Sequence, residues 1–289
     1  MELHTDELTL HYEDDGDPEA PPVLVLHGIT QSTATWGWLV PHLADAHRVV
    51  RLDFRGHGRS GRTPGAYVFR GYVADAAAIC ERVLGGPAVL IGHSLGGGTA
   101  AGLAQTRPEL VRGLVLEDPA IMAPASPAIA DQMDGSSLLA GFRLMRDSVP
   151  RLQEAGLSAP ELAAMLTQAP SPSGPPFGEA VHEDALLAMA EGMLQLDATV
   201  LDPVFDGSAA PVFDPNQPLP VPGIVLAGDP ASPDTIVREP DLALLAAHSP
   251  EIERRVVSGA GHLIHDSKQC RHDVLDAVRD LLARLPASA

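Results

Sequence analysis

Apolar residues in the first third of the chain fall into short unbroken runs bounded by turn residues, and these alternate with longer stretches of helical period. The runs Val23–Leu26, Arg48–Leu52, Ala88–Ile91 and Leu114–Leu116 predict strands. They lack polar alternation, which suits strands covered on both faces, as in a parallel sheet whose crossovers are helices. Between them, Gly71–Leu84 supplies a helix with Val73, Ala76, Ala77, Ile79, Cys80, Val83 and Leu84 along one face, and Gly85-Gly86 ends it. Leu95–Thr106 predicts a second helix, stopped by Pro108. The pattern is that of an α/β fold, a mostly parallel sheet covered by helices.

Over residues 120–220 the Val/Ile runs vanish. Helical segments at Ser137–Arg146, Pro160–Thr167 and Asp184–Leu196 take over and prolines cluster, so this stretch is expected to be an inserted helical layer. Ala169–Pro176, with its four prolines, holds little regular structure and joins two parts of the insertion. Six of the seven methionines and four of the six phenylalanines lie in the insertion; they either pack between helices or form an adaptable apolar wall over a pocket. Strand and helix signals return at Gly223–Ala227, Pro240–Ala247, Arg254–Val257 and Arg271–Arg284. The expected organisation is a core of residues 1–119 and 221–289 with 120–220 inserted.

At 289 residues, 45% of them hydrophobic, the chain can build a sizeable core. The formal charge of -19 repels phosphate backbones and anionic headgroups, so neither nucleic acid nor a membrane surface is an expected partner. Cys80 and Cys270 make neither a CxxC pair nor a metal set and suit two reduced thiols in a cytoplasm. The N-terminus carries no basic region followed by an apolar run, and no long apolar stretch follows it, so a soluble, unexported protein is expected.

The most specific motif is Gly92-His93-Ser94-Leu95-Gly96, at once after a buried strand and before a helix. Small residues on both sides of Ser94 allow a sharp turn that holds its hydroxyl out at a helix N-terminus, the posture of a nucleophile. A serine hydroxyl needs a base, and His262 in Gly259-Ala260-Gly261-His262 follows a late strand on a freely bending loop. His265 could compete for that role; read with His262 as a metal pair it lacks a third ligand at suitable spacing. The oxyanion of acyl transfer calls for two N–H donors, assigned to Leu95 and to Ile29 in the turn Leu26-His27-Gly28-Ile29. His27 is expected to tie that loop down. Trp36 and Trp38 are either packing or pocket wall; Trp36 is carried as a candidate substrate contact, as are Phe142, Met145 and Met189, while Met133, Met165 and Met193 could also face the pocket.

These motifs, in this order and joined by Asp53-Phe-Arg-Gly-His-Gly-Arg-Ser60, resemble the α/β-hydrolase superfamily over most of the chain. The resemblance implies that Asp53–Ser60 is a structural turn beside the site and that a helical lid occupies the insertion. The same run spells Gly56-x-Gly58-x-x-Gly61, but no acid stands at the distance a dinucleotide ribose requires, Asp75 being too close. The acid that orients His262 departs from the family pattern: the usual position after Gly228 holds Ala231. Haloalkane dehalogenases of one branch and zearalenone-type lactonases resemble each other in placing the acid just before the lid, about 24 residues beyond the nucleophile, where Asp118 stands. Asp229, Asp234 and Glu117 remain alternatives. Because side chains alternate along a strand, Glu117 and Asp118 should point to opposite sides.

The expected function is a hydrolase, with no cofactor and no metal, that cleaves an ester or lactone of a hydrophobic small molecule through an acyl-enzyme on Ser94. Hydrolysis of a carbon–carbon bond, acyl transfer, and ligand binding without turnover on the same fold stay open as alternatives.

Overall fold

The computed structural model describes residues 1–121, 137–171, 174–210 and 212–286. The strands are β1 (Glu2–His4), β2 (Thr9–Asp15), β3 (Pro22–Leu26), β4 (Arg48–Leu52), β5 (Ala88–His93), β6 (Val111–Glu117), β7 (Gly223–Ala227) and β8 (Ile252–Val256). They form one sheet in the order β1-β2-β4-β3-β5-β6-β7-β8. β1 and β2 pair antiparallel, β2 lies antiparallel on β4, and every later pairing is parallel. The main helices are α1 (Val40–Leu43), α2 (Phe69–Ile79), α3 (Leu95–Thr106), α4 (Ser137–Glu154), α5 (Ala159–Leu166), α6 (Glu183–Gln195), α7 (Glu239–His248) and α8 (Arg271–Arg284), with the short helices Phe177–Ala180 and Asp202–Asp206 and several tighter turns between them.

Each apolar run divides its residues between two cores. Leu24, Leu26, Val50, Leu52, Leu90, Leu114 and Leu116 face α2, α3 and the helices that follow β6. Val23, Val25, Val49, Val89, Ile91 and Val115 face Trp36, Leu39 and the buried stripe Val274, Ala277, Val278 and Leu281 of α8. Period-2 alternation with both faces apolar is why these strands read as continuous hydrophobic segments.

β1 and β2 are not among the strands named from sequence. They alternate polar with apolar at the antiparallel edge, where only part of each strand is buried, so they lack the apolar run that marks an interior strand. Two helices also exceed their predicted bounds by two residues or more. α2 starts at Phe69 and continues as a π-helical turn over Cys80–Leu84 before Gly85, and α4 runs through Pro150 to Glu154. No described helix is long and apolar enough to cross a membrane. Pro172 of the proline-rich joint and Met133 lie outside the described residues.

Candidate active site

Among the described residues, only three other than glycine have positive φ: Thr30 (72°), Ser94 (51°) and Asp118 (34°). They stand just beyond the C-terminal ends of β3, β5 and β6, three neighbours in the sheet. Such backbone costs on the order of 1–3 kcal/mol per residue and persists only where its surroundings enforce it.

At Ser94 the enforcement is steric. Gly92 packs so tightly on the following helix that a Cβ there would stand 2.5 Å from the Gly96 backbone. The Ser94 N–H donates to Glu117 O at 3.0 Å, its carbonyl accepts from Gly98 N and Ala120 N, and its side chain makes no capping bond to α3. A capping role therefore does not account for this serine. Its hydroxyl stands at the start of a helix, where negative charge is favoured.

Asp118 is wholly buried, and its carboxylate accepts four hydrogen bonds. Thr235 Oγ1 donates to Oδ1 at 2.8 Å, Val237 N to Oδ1 at 3.0 Å, Ile236 N to Oδ2 at 2.9 Å, and His262 Nδ1 to Oδ2 at 2.6 Å. With Nδ1 donating, Nε2 of His262 is left as the acceptor, the tautomer a general base requires. The rival acids are occupied elsewhere. Asp229 accepts from Gly259 N at 2.7 Å and Ala231 N at 2.9 Å, while Asp234 accepts from Ser232 and, at 3.3 Å, from the His262 backbone N–H. Both brace the histidine loop rather than the imidazole.

Glu117 points to the other side of β6, as strand alternation requires. It accepts from His265 Nδ1 at 2.8 and 2.9 Å and from His265 N at 2.9 Å. His265 Nε2 lies 3.2 Å from Thr35 Oγ1 and 3.3 Å from Asp266, and its ring stacks on Trp36 at 4.4 Å. Burial alone would lower the pKa of His265, but the charges of Asp266 and Glu117 outweigh it and raise it. His265 is thus no rival base for Ser94. His93, Glu117 and His265 bring ligand-type atoms within 4.8 Å of one another; hydrogen bonds join Glu117 to His265, and the His93 ring packs edge-on against His265 at 4.8 Å.

His93 links these layers. Its ring lies 4.6 Å from that of His262, Nε2 donates to the His262 carbonyl at 3.0 Å, and Nδ1 lies 3.0 Å from Gln31 Oε1. Gln31 Oε1 accepts the Gly28 N–H at 2.8 Å. A Cβ on Gly28 would stand 2.6 Å from His93, so only glycine allows this approach. His27 ties the loop as expected, donating from Nδ1 to Gly28 O at 2.7 Å and accepting Phe54 N at Nε2. Burial, then the nearby His262 and His265, push His93 well below the ordinary histidine range.

The Asp53–Ser60 run folds around the Asp53 carboxylate, which accepts from Thr33 N at 2.7 Å, His11 Nδ1 at 2.9 Å and Arg59 N at 3.0 Å. Burial would raise its pKa, yet the His11 bond, the charge of His27 and the two N–H donors hold it at about 2. Asp75 forms a two-pronged pair with Arg55 at 2.7 and 2.8 Å. The glycine spelling therefore belongs to a structural turn.

A cavity of about 560 Å³, counting its mouth, opens on Ser94 and is walled by Ile29, Leu95, Tyr67, Tyr72, Phe142 and Ile236, among others. Three of the candidate contacts are corrected. Trp36 belongs to the core on the opposite face of the sheet. Met145 packs on the main core one turn beyond the part of α4 that reaches the cavity, where Leu138 and Phe142 face it. Met189, on α6, packs beside Val181, Ala185 and Leu186, and no residue of α6 is among the described lining residues. Met165 is 57% exposed and Met193 sits in the core. Tyr72, Gln31, His93 and the Glu117–His265 pair escaped the sequence reading; strand alternation sends Glu117 away from Asp118 but does not say which histidine meets it.

A family model described as alpha/beta hydrolase fold matches residues 21–269. A serine hydrolase-like protein of Danio rerio is 39% identical over 105 residues, 36% of this chain and 32% of that one. The chain spans about half or less of the length of the first curated relatives it matches. Among solved structures, an E-2-(acetamidomethylene)succinate hydrolase superposes with a TM-score of 0.75 at 21% identity, covering 98% of both chains. A thermophilic esterase from Thermogutta terrifontis, determined with malate bound, gives 0.69 at 25% identity over 96% of this chain and 94% of its own.

Proposed function

The chain belongs to the alpha/beta hydrolase family, and from that premise we propose that it is a serine hydrolase cleaving an ester or lactone of a hydrophobic small molecule through an acyl-enzyme. Ser94 Oγ attacks the substrate carbonyl while His262 Nε2 takes its proton, and Asp118 keeps the imidazole in the required tautomer and orientation. The N–H groups of Leu95 and Ile29 receive the oxyanion. His262 then returns the proton to the leaving alcohol, water attacks the acyl group, and Ser94 is released. No cofactor enters these steps.

The observation that carries the reading is the 2.6 Å bond between buried Asp118 and His262 Nδ1, beside a serine whose hydroxyl does no capping work. The apolar cavity favours a hydrophobic substrate, with the helices after β6 acting as its lid. The succinate in the name of one similar structure is not carried over, because no described residue lining this cavity is basic. Free, buried Cys80 and Cys270 fit a reducing cytoplasm, and the charge of -19 fits a small-molecule partner over nucleic acid.

A fluorophosphonate probe should label the wild type and not Ser94→Ala, and the same substitution should lower turnover of any cleaved ester by about 10⁶-fold. Folded wild-type protein that neither takes the label nor cleaves any ester or lactone would sink the catalytic reading and favour a ligand-binding role.

A further inference from the structure

Ile29 lines the cavity, and among the described residues its N–H finds no hydrogen-bond acceptor. A donor meant for an oxyanion must be left free by the protein and still be held in direction, because a hydrogen bond weakens steeply when bent. The rest of its peptide sets that direction. The Gly28–Ile29 peptide is trans, so its carbonyl and its N–H point opposite ways, and holding Gly28 O holds the Ile29 N–H. Gly28 O accepts from His27 Nδ1 at 2.7 Å and from Gln31 N at 3.2 Å. The following peptide is also tied, since the Thr30 N–H donates to His57 Nε2 at 3.2 Å. His57 donates from Nδ1 to Arg55 O, and burial, then the nearby His27, hold its pKa at about 3, so Nε2 stays an acceptor.

The preceding peptide depends on one side chain. The Gly28 N–H donates to Gln31 Oε1 at 2.8 Å, so Gln31 grips Gly28 at both ends, by its backbone N–H on the carbonyl and by its amide oxygen on the N–H. Gln31 is itself 5% exposed. Its amide has one consistent orientation: reversed, it would set NH2 against the Gly28 N–H and an oxygen against Asp266 Oδ2, which lies 3.5 Å from Nε2. Nε2 also stands 3.4 Å from His265 Nε2, and Oε1 stands 3.0 Å from His93 Nδ1. The amide therefore sits between the turn after β3 and the late loop that carries His262.

We propose that Gln31 is a positioning residue for the oxyanion: its side-chain amide fixes Gly28, and through Gly28 the direction in which the Ile29 N–H is offered. The proposal rests on Ser94 forming a tetrahedral adduct whose oxygen this N–H receives. It adds to that reading which side chain aims the donor.

Gln31→Met keeps the length of the side chain and removes the acceptor. Its kcat on a 4-nitrophenyl alkanoate, per fluorophosphonate-titrated site, should fall by about 30-fold, less than the loss of a whole oxyanion donor, while KM changes by less than about threefold. The acid limb of kcat/KM, which reports the base His262, should stay in place. An alkyl trifluoromethyl ketone adds to a serine hydroxyl as a hemiketal whose oxygen stands for the oxyanion; followed by 19F NMR, that oxygen should titrate at least about one pH unit higher in Gln31→Met. If Gln31→Met does not fold, amide exchange in the wild type decides. The Gly28 amide proton should exchange at least about 10²-fold more slowly than that of Ile29 in the free enzyme, and Ile29 should slow when the hemiketal forms. An undiminished kcat, a loss carried by KM, a displaced acid limb, a hemiketal that titrates as in the wild type, or a Gly28 amide that exchanges as fast as Ile29 would overturn the proposal while leaving the Ser94 mechanism standing. Folded wild type that takes neither the ketone nor the fluorophosphonate would remove both.

Discussion

Glu117 and Asp118 are consecutive residues at the end of one strand, and each holds a histidine of the same late loop through Nδ1, at 2.8 and 2.6 Å. Both acids are fully buried. Yet the two pairs have different surroundings. The Asp118 pair adjoins the apolar cavity, whose wall includes both Ser94 and Ile236, the residue whose N–H also holds Asp118. The Glu117 pair is sealed under Trp36, with Thr35 and Asp266 against the far side of its imidazole. An acid–histidine bond is thus no signature of catalysis by itself: what has to be compared is the surroundings of the second ring nitrogen. At His265 that nitrogen is taken up by protein groups.

Substitutions that separate the pairs should show the largest contrast at Asp118. Asp118→Asn should lower kcat by about 10⁴-fold, because the imidazole loses its tautomer and alignment. Glu117→Gln should instead cost about 3 kcal/mol in urea unfolding, the effect of leaving a buried partner uncompensated, while kcat per folded molecule stays within about tenfold. If the two variants lost activity equally, the division into a reacting pair and a supporting pair would be wrong.

A third buried pair, Asp53 with His11 at 2.9 Å, offers a reference that uses neither histidine of the late loop. The carboxyl of Asp53 is held at about 2 against an ordinary value of 3.8, so its ionised form stabilises the fold above about pH 4 and that contribution disappears as pH falls through 2. Asp53→Asn should therefore cost about 2 kcal/mol at pH 7, and its gap from the wild type should close between pH 4 and pH 2 in denaturant titrations. The smallest effect is expected at Asp229, whose carboxylate is held by the Gly259 and Ala231 N–H groups and by Ser258 rather than by the imidazole. Asp229→Asn should keep kcat within about threefold, and a collapse there would move the orienting acid to the later strand.

The contrast also shows how much of the site was written locally. The motif around Ser94 was legible because strand, flanking glycines and helix are contiguous, whereas Asp118 was named from the acid position that the resemblance implies, alternation along β6 adding only that Glu117 and Asp118 point to opposite sides. The Glu117–His265 pair depends on which of two nearby histidines a loop turns toward each acid, and loop direction leaves no periodicity. The cavity wall was the least readable part. Methionines on α4 and α6 share the composition of a pocket lining, but only the position of the helices decides that Phe142 faces the cavity and Met145 does not. Trp36 misled for a related reason, since the run after β3 crosses to the far face of the sheet before its aromatic residues appear.

The two acids at the end of β6 have a consequence for how the chain matures. Their imidazole partners arrive 144 and 148 residues later in the sequence. A nascent polypeptide that has emerged through β6 but not yet through β8 carries two adjacent carboxylates without the imidazole N–H donors that pair with them, so closing the centre of the sheet around them is unfavourable. Synthesis of the last segment is then what lets the early half settle, and loss of that segment should leave an open, protease-sensitive intermediate rather than a smaller native protein.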